Sequence, residues 1–305
     1  MVRLQALLAR LKDVEFGDLQ WELAPKALPG QILAVHEQSY IEKVMAKIPA
    51  AGRAEFDPSG TVISAQSEDA IWRAPGAVCA AVDAVTGGRA GNAFCAVRPP
   101  GHHAKKAQTS GFCFFNNVAV GVRHLQETYG VRKVAVIDFD VHHGNGTQAL
   151  LEKDPDVFFA STHQGNIFPN TGPMGVSELG NVINIPVARR YSGDQFLAVL
   201  QDRILPPMRA FGPEFIFLSA GFDAHLADPI GDLALGSKDF GRLTRAILDI
   251  ARTSCDGRVV SVLEGGYAPG AVAAGAAAHV AELITAATAK RPQKIGKFGY
   301  PKVMT

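Results

Sequence analysis

Two hydrophobic rhythms take turns along this chain. Short apolar runs, rich in β-branched residues, occupy 93–97, 133–139, 157–162, 181–187, 215–219 and 258–263. They have the unbroken apolar character of strands buried on both faces of a parallel sheet. Longer stretches with helical spacing lie between them. One covers 67–85 with an interruption expected at Pro75; another is capped by Asn116 and stops at Gly130. Others cover 146–152, a stretch from the Ser192 cap to just before Gly212-Pro213, and 237–253, and Pro269 opens the last. Met1 to Asp13 has the pattern of a short amphipathic helix. The alternation predicts a single α/β domain over residues 1–305, with a central parallel sheet and helices on both faces. No repeat, low-complexity block or linker divides it, and residues 293–305 read as a loosely held tail.

Polar residues with chemistry gather where the strands end. The run that starts at Val134 continues into Asp138-Phe-Asp-Val-His-His-Gly-Asn-Gly. The carboxyl ends of strands are where an open α/β sheet places its ligands. If the backbone stays extended to His142, then Asp138, Asp140 and His142 share one face. Buried ionisable groups in such number need compensation, and a divalent cation is the simplest. Asp140 and His142 supply an oxygen and a nitrogen; Asp228, in a loop before Pro229, could supply a third ligand. Three ligands and an open position make the catalytic zinc pattern. Two carboxylates should leave the ion a weaker acidifier of water than a three-histidine site, so a separate base is required. The adjacent pair His102-His103 is the candidate, with Asp138 orienting one ring and Asn145 the other. Tyr267, after Gly265-Gly266, could donate to a developing oxyanion, and Phe112 and Phe168 could wall a narrow slot.

Composition narrows the class. Thirty Lys and Arg against 29 Asp and Glu leave no field to draw nucleic acid or membrane. Four scattered cysteines without a CxxC pair read as reduced thiols, and no secretory signal is apparent, so the expected location is cytoplasmic. The Ala-rich stretch 270–289 contains His279 and Glu282, a poor membrane span.

Taken together, His102-His103, Asp138-Phe-Asp-Val-His-His-Gly-Asn-Gly, Gly221-Phe-Asp-Ala-His-Leu-Ala-Asp-Pro and Glu264-Gly-Gly-Tyr resemble the zinc-dependent histone deacetylase family, in its bacterial, class II-like form. The resemblance runs in order over nearly the whole chain. It implies the single-domain arginase–deacetylase fold with a parallel eight-stranded sheet. By it, Asp140, His142 and Asp228 match the zinc ligands and His103 the general base and acid. His102 matches the electrostatic partner, oriented by Asp138, and Tyr267 the phenol that polarises the carbonyl. Phe112 and Phe168 match the aromatics around the acyl-lysine stem, Gly111 the carbonyl that accepts the amide N–H, Leu235 a tunnel residue and Gly266 a further substrate contact. Asp138 and Ser161 fall where the family binds a structural monovalent cation, usually potassium.

Two places depart from the family pattern. Met1-Val-Arg-Leu enters at what look like the last residues of the usual opening segment, which puts Arg3 where some members have an arginine lining an internal acetate channel. The rim aspartate that grips substrate backbone has no clear match in Asp57-Pro-Ser-Gly-Thr.

The implied activity is hydrolysis of an acetyl or other acyl amide on a lysine amine of a protein or peptide, with one zinc, or iron(II), per chain. The rival within the superfamily is an acetylpolyamine deacetylase; Ile230 after Pro229 argues against its acidic gatekeeper, although Asp232 is near. A two-manganese ureohydrolase would need Asp-x-His-x-Asp, and the last position here is Gly144. A non-enzymatic acyl-lysine binder would not need His102, His103 and Tyr267.

Overall fold

The computed structural model describes residues 2–57, 60–289 and 302–304. Among the described residues the strands are β1 (Gln20–Glu22), β2 (Arg53–Asp57), β3 (Thr61–Ser64), β4 (Ala93–Cys95), β5 (Val134–Asp138), β6 (Val157–Gln164), β7 (Gly175–Val176), β8 (Val182–Val187), β9 (Phe215–Ala220), β10 (Val259–Leu263) and β11 (Lys302–Met304). The helices are α1 (Val2–Arg10), α2 (Pro29–Leu33), α3 (Gln38–Ala46), α4 (Ser67–Thr86), α5 (Asn117–Tyr129), α6 (Asn145–Leu151), α7 (Gly193–Val199), α8 (Leu205–Phe211), α9 (Ser237–Ser254) and α10 (Pro269–Ala289). β2 and β3 form a separate antiparallel hairpin; the other nine strands form one sheet in the order β1-β11-β4-β10-β9-β5-β6-β8-β7. Eight of them run parallel, and the two-residue β7 adds an antiparallel edge, so the expected eight-stranded parallel sheet is extended by one.

Each central strand is buried on both faces, and its side chains divide between two cores at a period of two. Val134 and Val136 of β5 enter the core under α4 and α5; Ala135 and Ile137 enter the one under α9 and α10. The same division holds for Phe215 and Phe217 against Ile216 and Leu218 in β9. Strands with no polar face have no register choice that keeps them soluble alone, which is why the apolar runs located them from sequence.

The helix ends follow local chemistry. Asn116 accepts the N–H of Ala119 at 2.9 Å, and Gly130 closes α5 in the left-handed region. Ser192 and Gln195 form a capping box at α7. The expected continuous helix to Gly212 instead passes through a π turn, Leu200–Ile204, before Pro206-Pro207 open α8, since neither proline offers an N–H to the preceding turn. At Pro75 the reverse occurs: α4 runs through. Gly76 lets the segment Pro25–Ala27 lie directly on the helix, and Ala27 N–H takes the Trp72 carbonyl at 2.9 Å. The stretch Pro269–Thr288 is long and apolar enough to cross a membrane, but half of it is buried within this fold, where α10 packs on α9 and α1. Of the tail expected to be loose, residues 302–304 pair in parallel with both β1 and β4; 293–301 and 305 lie outside the described residues.

Asn116 does more than cap. It is fully buried, and its Nδ2 donates to Ala104 O (3.3 Å) and Thr147 Oγ1 (3.0 Å). Asn116→Ala should therefore cost more than an exposed cap, about 2–3 kcal/mol, read as a lower urea midpoint at unchanged slope. An unchanged midpoint would show that the cap and its two further bonds carry no stability.

Candidate active site

All parallel strands point their carboxyl ends to one rim, so the segments after β4, β5, β6, β9 and β10 converge there. β5 pairing stops at Asp138; the chain does not stay extended to His142. Instead each aspartate side chain accepts an N–H two residues on: Asp138 Oδ1 from Asp140 (3.1 Å) and Asp140 Oδ1 from His142 (2.9 Å). These local turns, rather than a pleat, aim the three side chains.

Asp140, His142 and Asp223 bring one ligand atom each to within 4.8 Å of one another, all buried. His142 turns Nδ1 toward Asp140 Oδ1 (3.0 Å) and Asp223 Oδ2 (3.2 Å). Asp140 Oδ2 accepts the Gly265 N–H (2.7 Å), and Asp223 Oδ1 the Val141 N–H (3.0 Å). A Cβ at Gly265 would sit 2.0 Å from Asp223 Oδ2, so only glycine lets this loop close on the carboxylates. Asp223 Oδ2 is buried without a properly formed hydrogen bond. Burial, with the charge of Asp140, pushes its carboxyl up to about 6. Burial lowers the His142 imidazole, but Asp140 and Asp223 outweigh it and raise it to about 10. Two carboxylates that attract a proton so strongly onto the imidazole between them, with one oxygen unsatisfied, fit a divalent cation in the proton's place.

Asp228, expected as the third ligand, is elsewhere. Its Oδ2 accepts the N–H of Tyr267 (2.7 Å) and Ala268 (3.3 Å), and its Oδ1 those of Ile230 (3.0 Å) and Gly231 (3.4 Å). Four backbone donors occupy both oxygens, so it anchors the tyrosine loop. The sequence did carry the signal for Asp223: it stands three residues past the end of β9, whereas Asp228 is eight past it. Glu264, at the end of β10, was the other group missed; it is buried beneath the histidine turn.

His102 and His103 are buried with ring centroids 3.9 Å apart. His102 Nδ1 is 2.9 Å from Asp138 Oδ2, and His103 Nδ1 is 2.8 Å from Asn145 Oδ1. Burial opposes charge on both. At His102, Asp140, Asp138 and Glu264 win and raise the imidazole well above its usual range. At His103, burial and the neighbouring His102 hold it well below. Tyr267 is pushed far above the usual phenol range by burial, then by Asp223 and Asp140, so it stays a proton donor.

Phe112 and Phe168 are 39% and 41% exposed; Phe112 stands 6.1 Å from the Tyr267 ring and Phe168 5.0 Å from the His103 ring. Gly111 backs onto His103 and Phe168. Gly266, at φ +117°, gives its carbonyl to Arg3 Nη1 (3.0 Å), and Arg3 and Arg98 line a cavity of about 470 Å³ together with Phe112 and Tyr267. Leu235 has no exposed surface and lies in the core under α9 and α10, so it lines no open channel, contrary to expectation. Ser161 is the register partner of Asp138, with its hydroxyl 3.0 Å from His163 Nδ1.

Residues 1–283 match the family model described as histone deacetylase domain. The chain belongs to the histone deacetylase family. Members of this family are amide hydrolases and depend on a metal, usually zinc. The chain is similar to the histone deacetylase-like amidohydrolase of Pseudomonas aeruginosa, 37% identical over 82% of this chain and 66% of that protein. A probable deacetylase of Archaeoglobus fulgidus is 38% identical over 79% and 67%, and type-2 histone deacetylase 2 of Dictyostelium discoideum 38% over 77% and 16%. The chain thus spans between 16% and 67% of the length of these curated relatives. Among solved structures, the crystal structure of the HDA15 HD domain is similar with a TM-score of 0.84 and 32% identity, covering 92% of this chain and 82% of that one.

The two aspartates give a direct test by metal analysis of purified variants. Asp223→Ala should lose the ion, whereas Asp228→Asn should keep it and lose turnover through a displaced Tyr267 loop. Retention of the ion in Asp223→Ala with its loss in Asp228→Asn would reverse the assignment.

Proposed function

We propose that this deacetylase-family chain hydrolyses Nε-acyl amides, acetyl above all, on lysine side chains of proteins or peptides. The observation that carries the reading is the buried His103 imidazole, held at Nδ1 by Asn145 and 5.8 Å from the His142 ring of the Asp140–His142–Asp223 group. The Asn145 oxygen can only accept, so His103 carries its proton on Nδ1 and leaves Nε2 free as a base. Asp140, His142 and Asp223 would hold a divalent ion, zinc or iron(II) by their donor types. When bound, it supplies Lewis acidity that polarises the amide carbonyl and a neighbouring water molecule.

The chain's own groups do the rest. His103 Nε2 takes a proton from water as the oxygen attacks, then returns one to the departing amine nitrogen. His102, held by Asp138, keeps a positive charge beside it, which lowers its basicity and favours release of the proton to the amine once it has been taken. Tyr267 donates to the amide oxygen as negative charge builds there. Phe112 beside Tyr267 and Phe168 beside His103 offer exposed apolar faces suited to a methylene stem. A potassium ion at the end of β5 and the middle of β6, near Asp138 and Ser161, belongs to the same proposal.

One observation favours lysine over a polyamine. Asp232, the next acidic residue after Asp228-Pro229, is already paired with the guanidinium groups of Arg189 (2.5 Å) and Arg190 (3.8 Å), so it is not free to receive a substrate ammonium. Purified protein assayed on acyl-lysine peptides and acetylpolyamines should turn over the peptides faster, and a chelator should abolish both. Faster turnover of acetylpolyamines would overturn the substrate assignment. Tyr267→Phe should keep the ion and lose about 10²-fold in kcat; full activity in that variant would remove the phenol from the mechanism.

A further inference from the structure

The turn that carries His102 and His103 is clamped from two sides. On one side the His102 carbonyl accepts the N–H groups of Gly146 (3.0 Å) and Thr147 (3.1 Å), at the start of α6. On the other stands Glu264, with no exposed surface. Its Oε2 accepts the N–H of Gly101 (2.7 Å) and of His102 (3.2 Å), and its Oε1 accepts the Ser219 hydroxyl (3.3 Å). Its main chain is fixed as well: its N–H donates to Ala220 O (3.0 Å), and its carbonyl accepts Arg3 Nη1 (2.8 Å).

We propose that Glu264 is a positioning residue for the deacylation: its carboxylate ties the ends of β9 and β10 to the Gly101–His102 peptide and so sets where the two imidazoles stand. The inference rests on His103 being the base. Two successive amide N–H groups converge on one carboxylate oxygen, and a charged acceptor makes bonds about twice as strong as a neutral one. The α6 clamp alone holds the carbonyl side of the turn, leaving the N–H side free to tilt. No Lys or Arg side chain among the described residues pairs with the carboxylate; Arg3 reaches only its main-chain carbonyl.

Because the clamp is ionic, it responds to pH. Burial pushes the carboxyl up to about 7. The groups around it are His102 from the turn, which pulls it down, and Asp138 and Asp140 after β5, which push it up. Cys113 senses its charge from the neighbouring loop, and Arg3 approaches from α1. A cation on Asp140 would offset part of that push and shift the titration to lower pH. The clamp is at full strength above this titration and weakens as pH falls through it.

Glu264→Gln tests this without removing the acceptor. The amide oxygen can take both N–H groups while Nε2 donates to Ser219 Oγ, so the variant imitates the protonated side chain. With zinc-loaded enzyme and an acetyl-lysine peptide between pH 5.5 and 8.5, Glu264→Gln should lose about fivefold in kcat at the alkaline end, with KM and ion content unchanged. The ratio of wild-type to variant kcat should fall toward one as pH drops. Glu264→Ala should lose more than tenfold at every pH, and the amides of residues 101 and 102 should exchange hydrogen faster in it. A ratio that does not change with pH, or amide exchange at wild-type rates in Glu264→Ala, would overturn the proposal. If Glu264→Ala does not fold, the pH dependence of the glutamine variant decides alone. Wild-type enzyme without turnover would instead overturn the proposed function, leaving amide exchange to decide the clamp.

Discussion

Four carboxyl groups, Asp138, Asp140, Asp223 and Glu264, are buried together at the carboxyl ends of three adjacent strands, β5, β9 and β10. Such a concentration of acid in a dry place is strongly unfavourable unless each charge meets an opposite charge or several donors. The local structure answers that demand group by group. Asp138 takes an imidazole, Glu264 takes two backbone amides and a hydroxyl, and Asp140 takes a backbone amide from each of two loops. Asp223 alone keeps an unsatisfied oxygen, and it is the one that faces His142 and Asp140. The place for a cation is thus defined by what the protein has left uncompensated.

The same constraint separates the two imidazoles. His102 lies against carboxylates and is driven to carry charge; His103 lies against an amide and a charged neighbour and is driven to shed it. Adjacent residues in one tight turn are thereby driven toward opposite protonation states, a charged partner beside a neutral base. The positions of these rings and of the Tyr267 phenol depend on groups that never meet substrate: Asn116 and Thr147 behind the histidine turn, Glu264 beneath it, and Asp228 under the tyrosine loop.

Much of this was legible in the residues. Unbroken apolar runs located the central strands because burial on both faces leaves no room for polar alternation, and Asn116, Gly130 and Ser192 marked helix ends through their own hydrogen-bonding chemistry. What escaped was whatever depends on partners distant in sequence. The hairpin β2–β3, the edge strands β1 and β7, and β11 between β1 and β4 are short and carry no long apolar run, and only pairing defines them. Pro75 does not break α4, and the segment 25–27 packs on its buried turn, with the Ala27 N–H donating to Trp72 O. Within Gly-Phe-Asp-Ala-His-Leu-Ala-Asp-Pro, either aspartate has ligand chemistry, and only the shorter distance from the end of β9 favours Asp223. The choice follows from Asp228 being saturated by four amides, a fact of the folded chain. Leu235 was misplaced for a similar reason: apolar character does not distinguish a channel wall from a core.

The central claim is that a single divalent ion sits between Asp140, His142 and Asp223, within reach of the neutral imidazole of His103. Anomalous diffraction at the zinc edge from crystals of the zinc-loaded protein tests it most directly. The account predicts one anomalous peak at this group, bound through His142 Nδ1 and one oxygen of each of Asp140 and Asp223. A peak bound by Asp228, or a pair of peaks bridged by carboxylates, would contradict it.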